Sequence, residues 1–150
     1  MKLGIRCWPD KFSFVVLEGS SSKPVLVECD VRRFPTDLSK PGFLNWISHE
    51  LKNILGRRPI KGAAYKAIES TARKNSKLML RAEVEGVIQA VLYESGCREV
   101  EGLTKRQLKS ALGFGDTADK ICNALQDSPL ADLFGRDTEE AALAAWALLD

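Results

Sequence analysis

The chain has 150 residues, enough for one domain with a real core and too few for two comfortable ones. Hydrophobic residues make up 45% and charged residues 28%, the balance of an ordinary globular protein, and a formal net charge of +2 neither demands nor excludes a nucleic-acid partner. No apolar run approaches the roughly 20 residues of a membrane span. Four scattered cysteines, at 7, 29, 97 and 122, lack zinc-ligand spacing, and the single histidine, His49, argues against a Cys/His metal cluster. That scatter, with no signal-peptide pattern, leads to the expectation of a reducing, cytoplasmic setting with all four thiols buried as small hydrophobes.

Leu3, Ile5 and Cys7 alternate with Gly4, Arg6 and Trp8, which predicts a half-buried strand. Pro9-Asp10 is turn chemistry. Phe12 to Leu17 is aromatic and β-branched and reads as a second strand, and Val25 to Val31 as a third, after a turn from Glu18 to Lys23. Short connections favour an antiparallel meander. From Pro41 to Leu55 the period becomes helical, with Leu44, Ile47, Leu51, Ile54 and Leu55 in one stripe and Gly56 as the stop. His49 lies off that stripe as a solvated side chain.

Ile60 to Ile68 is a fourth strand ending in one acid, Glu69, at the position where open α/β sheets place their sites. A helix follows from Ser76 to Glu94, with Leu80, Val84, Val87, Ile88 and Val91 on one face and Gly96 beyond its end. Cys97 to Leu103 is a short fifth strand. Thr104 with Gln107 forms a capping box for the next helix, in which Leu108, Ala111 and Leu112 face inward. Gly113 and Gly115 break the chain. Asp116 and Asp119 have cap spacing for a helix containing Ile121, Cys122 and Leu125, and an Ala-rich helix covers Thr138 to Leu149. The order β-β-β-α-β-α-β-α-α-α predicts one α/β domain over residues 1–150. Its mixed five-stranded sheet has three antiparallel strands, then two parallel ones, flanked by helices.

That order is the order of the ribonuclease H-like fold, and several segments narrow it. AIES, with Glu69, resembles the second acidic motif of RuvC-type Holliday junction resolvases. NSKLMLRAEVEGVIQAVLYESG resembles the helix that follows it, including Gly86 midway. LTKRQLKSALGFGDTADK resembles the basic stretch, with Lys109 and Lys120 in place. DTEEAALAAWALL is similar to the last acidic motif, with Asp137 and Glu140 on its two acids.

The resemblance implies four carboxylates holding two divalent ions, magnesium or manganese, about 4 Å apart to activate water against a phosphodiester. The first acid would come from a Gly-Ile-Asp pattern on the first strand. Here the chain reads Gly4-Ile5-Arg6. A cation at that place repels a doubly charged ion, at about 4 kcal/mol per unit-charge pair 4 Å apart. Arg6 is expected instead to pair with Glu69. Asp137 and Glu140 have a second reading as a D-x-x-E helix cap. The basic set Lys61, Lys66, Arg73, Lys74, Lys77, Arg81, Lys105, Arg106, Lys109 and Lys120 brackets the strand ends as phosphate contacts or as solvated helix faces. Trp8, Trp46 and Trp146 read as core or interface anchors.

The expectation is therefore a RuvC-like nucleic-acid-binding protein with a degraded two-metal nuclease site, catalytically impaired or dependent on a partner. Glu69, Asp137 and Glu140 are the remnants and Arg6 the replacement. Nucleic-acid contacts fall to Lys74, Lys77, Arg81, Lys105, Arg106, Lys109 and Lys120. Branched DNA or RNA is the ligand class, a homodimer the assembly, and no cofactor is required. Two alternatives stay open. One is an active magnesium-dependent structure-selective endonuclease with Glu69, Asp137 and Glu140 as metal ligands beside a further one. The other is a structural or regulatory module without a nucleic-acid role.

Overall fold

The alternation of apolar residues fixes which side of each strand is buried, and the computed structural model, which describes residues 1–113 and 137–150, shows both sides covered at the centre. The strands are β1 (Lys2–Cys7), β2 (Lys11–Ser20), β3 (Lys23–Arg33), β4 (Gly62–Lys66) and β5 (Glu99–Leu103). The helices are α1 (Lys40–Gly56), α2 (Ser76–Glu94), α3 (Lys105–Ala111) and α4 (Glu139–Trp146). They build a mixed five-stranded sheet of order β3-β2-β1-β4-β5. β1 to β3 are antiparallel; β4 runs parallel to β1, and β5 parallel to β4.

β1 is central and buried on both faces, not half-buried as its alternation suggests. Leu3, Ile5 and Cys7 join Phe12, Phe14 and Val16 beneath α1 and α2. On the other face Val15 and Leu17 meet Ala141, Ala142 and Ala145 of α4. Gly4 looks like a polar-face residue in the sequence but is where α4 touches the sheet: a Cβ there would lie 1.8 Å from the Ala141 carbonyl oxygen. The alanines of α4 thus serve close approach as well as helix propensity. Ala64, Leu103, Leu108, Leu143 and Leu148 extend this second layer.

Boundaries differ where pairing, not hydrophobicity, decides them. β2 and β3 run on through Ser20 and Arg33 because their ladder continues across polar residues, with a bulge between Val16 and Leu17. Gly19, at φ +90°, permits the bend. Gly56 does not stop α1 in a left-handed conformation; it is the last helical residue, and Arg57 caps the helix at φ −80°. Gly96, at φ +76°, does follow α2 as expected. α2 buries Val84, Ile88, Val91 and Leu92, together with Glu85. Ala111 is exposed, because α3 is short and turns only Leu108 fully inward. Cys7 and Cys97 are buried, whereas Cys29 on edge strand β3 is half-buried. The helix anticipated around Ile121, Cys122 and Leu125 lies outside the described residues, as do Gly115, Asp116, Asp119 and Lys120. Among the described residues no helix is long and apolar enough to cross a membrane.

Candidate functional site

The carboxyl ends of β1, β4 and β5 lie side by side, since the three strands are parallel neighbours. Arg6 comes from the end of β1, on the α4-facing side with Gly4. Glu69 follows β4, and Asp137 and Glu140 stand at the start of α4. The topology therefore brings the sequence candidates to one end of the sheet, and the partners they find there were only partly foreseen.

Arg6 pairs with Glu140, not with Glu69: its Nε lies 2.5 Å from Glu140 Oε2. The side chain of Arg6 is 15% exposed, and its Nη1 is buried with no hydrogen-bond partner among the described residues. The angle at Nε departs from a hydrogen bond, so the contact with Glu140 is an ion pair of close charges. Burial lowers the Arg6 pKa from its ordinary value, and Glu140 partly offsets this. Ser13, the register partner of Arg6 across β2, is fully buried with its hydroxyl likewise unpartnered.

Lys11, which the sequence reading passed over, donates from Nζ to Asp137 Oδ2 at 2.6 Å. Trp8 sits between these two pairs in the chain and organises both: the Arg6 guanidinium lies 5.0 Å from its ring centroid and Lys11 Nζ 5.2 Å. The β1–β2 hairpin thus supplies the cations for both acids of the last motif. The anticipated D-x-x-E cap of α4 does not form. The N-cap is Thr138, without a side-chain cap bond, because the flanking acids are drawn to the sheet.

Glu69 has its own cation. Lys66 Nζ donates to Glu69 Oε1 at 2.5 Å and to the Ala67 carbonyl at 2.8 Å. The same Oε1 accepts the Lys105 backbone N–H at 2.8 Å, so Glu69 anchors the positive end of α3. Burial alone would raise the Glu69 pKa. The Lys66 and Lys105 hydrogen bonds and the charges of Lys66 and Arg81 outweigh it and hold the carboxyl below its usual range. Lys66, counted above among the basic surface residues, is 4% exposed and belongs to this internal pair. Lys61 leads into β4 at the far end of the sheet, away from the site, where its N–H bonds the Met1 carbonyl.

Glu85 went unnoticed in the sequence, though an acid one step from the apolar stripe of α2 is a usable sign. Its carboxylate is 8% exposed and accepts from Arg81 Nε at 2.8 Å. Burial raises its pKa, partly countered by Arg81 and by the Ile68 N–H. Arg81 also donates from Nη2 to the Lys66 carbonyl at 2.8 Å, so this proposed nucleic-acid contact is largely an internal brace between α2 and β4. Burial pushes the Cys7 thiol up to about 12, leaving it inert beside the network.

Lys74, Lys77, Lys105 and Arg106 are exposed around the same end, and Lys109 stands in the last turn of α3. Four acids at this end each face one cation: Glu69 with Lys66, Asp137 with Lys11, Glu140 with Arg6, Glu85 with Arg81. No three His, Cys, Asp or Glu among the described residues cluster closely enough to share an ion. Two divalent ions need a surplus of negative oxygen ligands, so this donor set does not fit them.

The topology and the paired strand ends define a ribonuclease H-like fold of the RuvC type. Among solved structures, RuvC from Thermus thermophilus bound to a Holliday junction superposes with a TM-score of 0.81 at 16% identity, over 97% of this chain and 90% of that one. The yeast mitochondrial Holliday junction resolvase gives 0.67 at 12% identity, over 97% of this chain and 76% of that one. The fowlpox virus resolvase in complex with Holliday junction DNA gives 0.58 at 7% identity, over 99% and 98%. At such identities the likeness establishes the fold alone. No protein-family model matches the sequence, and neither does any curated protein.

Proposed function

We propose that this chain is a single-domain, cytoplasmic, RuvC-like protein that binds branched DNA and whose two-metal cutting centre has been replaced by internal ion pairs. The observation that carries this reading is the Arg6–Glu140 contact, which puts a guanidinium against an acid that a metal centre would need free. Glu69, Asp137 and Glu140 are then remnants that hold the fold together, and the protein cuts nothing unaided. Lys74, Lys77, Lys105, Arg106, Lys109 and Lys120 supply phosphate contacts. DNA is favoured over RNA because neighbours of this fold are seen with Holliday junction DNA.

A homodimer belongs to the same reading. The outer face of α2 exposes Met79 and Tyr93, with Gly86 between them, and a Cβ on Gly86 would meet nothing within 4 Å. A mid-helix glycine that its own fold does not require, set between exposed apolar residues, suits close approach of a second copy.

The deciding experiment incubates the protein with a synthetic four-way DNA junction and linear duplexes in magnesium or manganese, with Glu69→Gln as control. Tight junction binding without scission is expected. Cutting that depends on Glu69 would restore the active-endonuclease reading, and no binding even at low salt would leave a structural or regulatory module.

A further inference from the structure

Beside the Arg6–Glu140 pair a cleft of about 200 Å³ opens between the end of β1 and the start of α2. Arg6, Trp8, Arg73, Asn75, Lys77 and Arg81 are among its lining residues, and no acid lines it among the described residues. Four cations thus face one small concavity. Arg73 and Lys77 are exposed and have no ion-pair partner among the described residues, whereas Arg81 is largely committed to Glu85 and the Lys66 carbonyl.

Two features make this cleft more than a solvated basic face. α2 is 19 residues long and has no acid in its first turn; Lys77 stands there instead, against the preference of the helix dipole for negative charge. Asn75 caps the Leu78 N–H, at 2.9 Å, but no acid in the first turn offsets the positive end of the helix. Second, the buried Nη1 of Arg6 has no hydrogen-bond partner among the described residues, and the contact with Glu140 is at Nε. Arg6, two exposed cations with no ion-pair partner among the described residues and the amino end of α2 line one space, and a tetrahedral oxyanion suits all of them at once. The Trp8 ring already carries Arg6 and Lys11, so it is not a free platform for a base.

Resting on the nucleic-acid reading above, we infer that this cleft is a metal-free seat for one backbone phosphate of the bound DNA, held by Arg6, Arg73, Lys77 and the amino end of α2. The guanidinium that excludes divalent ions takes over their hold on the phosphate without activating water. The strand is gripped at this site and left intact. The contact reads backbone, not base, so it carries no sequence preference.

The test measures binding to a synthetic four-way junction by fluorescence anisotropy, in EDTA, over a series of NaCl concentrations. The exposed double variant Arg73→Ala/Lys77→Ala should bind at least about tenfold more weakly, and its log–log salt slope should shrink by about 2. Arg6→Gln, which removes the charge but retains an amide donor, should weaken binding several-fold, with its thermal melt reported alongside. Wild-type affinity and slope in Arg73→Ala/Lys77→Ala, with weakened binding in Lys109→Ala, would overturn the cleft assignment while sparing the nucleic-acid reading. Failure of the wild type to bind at low salt would remove both. Binding that appears only when magnesium is added would also overturn a metal-free seat.

Discussion

Arg6 Nε stands 2.5 Å from Glu140 Oε2, joining the central strand to the first turn of the last helix. Arg6 is mostly buried while Glu140 is 37% exposed, so solvent screens the pair from one side. Arg6→Ala should therefore cost about 1–2 kcal/mol, short of the penalty for breaking a fully buried pair. A double-mutant cycle with Glu140→Ala, read by urea denaturation, should show coupling. Independent, additive effects would mean that the contact holds nothing.

The same pair predicts the response to metal. Millimolar manganese should leave the wild-type melting temperature unchanged. Arg6→Asp, which restores a carboxylate to the first strand, should lower the melting temperature in EDTA and regain part of it with manganese. A wild-type melt that rises with manganese would contradict the proposed replacement of a cutting centre.

Gly4 is the contact point of α4 on β1. A methyl group there meets the Ala141 carbonyl oxygen at 1.8 Å and the Ala145 nitrogen at 2.5 Å, both backbone atoms that cannot rotate away. Gly4→Ala should lower unfolding free energy by about 3 kcal/mol or more, the upper range of overpacking. The midpoint of urea unfolding measures it, and a loss below 1 kcal/mol would show that α4 shifts freely on the sheet.

Glu69 and Glu85 should titrate on opposite sides of the ordinary value of 4.5. The folded-state value of Glu69 is depressed, so its stabilisation is complete above 4.5 and is lost as pH falls through that lower value. Glu85 has the opposite sign. Burial makes the folded protein hold its proton longer, so stability declines as pH rises from 4.5 through the raised folded value. NMR titration of the side-chain carboxyl carbons separates them. Glu69→Gln should flatten the acid limb of stability below pH 4.5, and Glu85→Gln should flatten the decline above it.

Gly86 sits inside α2 with open space where a side chain would go. Gly86→Ala should therefore stabilise the isolated chain by about 0.5–1 kcal/mol through helix propensity. Gly86→Arg should shift the proposed homodimer to monomer in light scattering while leaving the circular dichroism spectrum intact. A dimer that survives Gly86→Arg would move the interface off α2.

The elements themselves were legible because they rest on local chemistry. The 3.6 period of Val84, Ile88 and Val91 and the turn at Gly96 delimit α2 at Ser76 and Glu94, and Thr104 with Gln107 marks the start of α3 by a capping box that forms as expected. The mixed sheet, three antiparallel strands and then two parallel, followed from the order of the elements, whereas the spatial order β3-β2-β1-β4-β5 came from the structure. The gathering of the candidate residues was legible in part: Glu69 at a strand end, two acids opening the last helix and a cation at position 6 do lie at one end of the sheet. Lys66–Glu69 was also within reach as a local pair.

Long-range partners were not, since pairing across 126 residues, as between Lys11 and Asp137, leaves no trace in local periodicity. Periodicity and spacing by themselves determined an α/β chain with a mixed five-stranded sheet, and only the resemblance to the RuvC type marked position 6, an arginine, as a place where an acid was due. Only the packed structure decided that this arginine meets Glu140 and that Gly4 is contact surface. It also decided that Lys66 and Arg81 serve inside the protein while Arg73 and Lys77 stay exposed, with no ion-pair partner among the described residues. The reason is physical: hydrophobic period and capping act within a turn or two of chain, whereas a charge takes whichever opposite charge the finished fold leaves nearest, at the least cost in lost hydration.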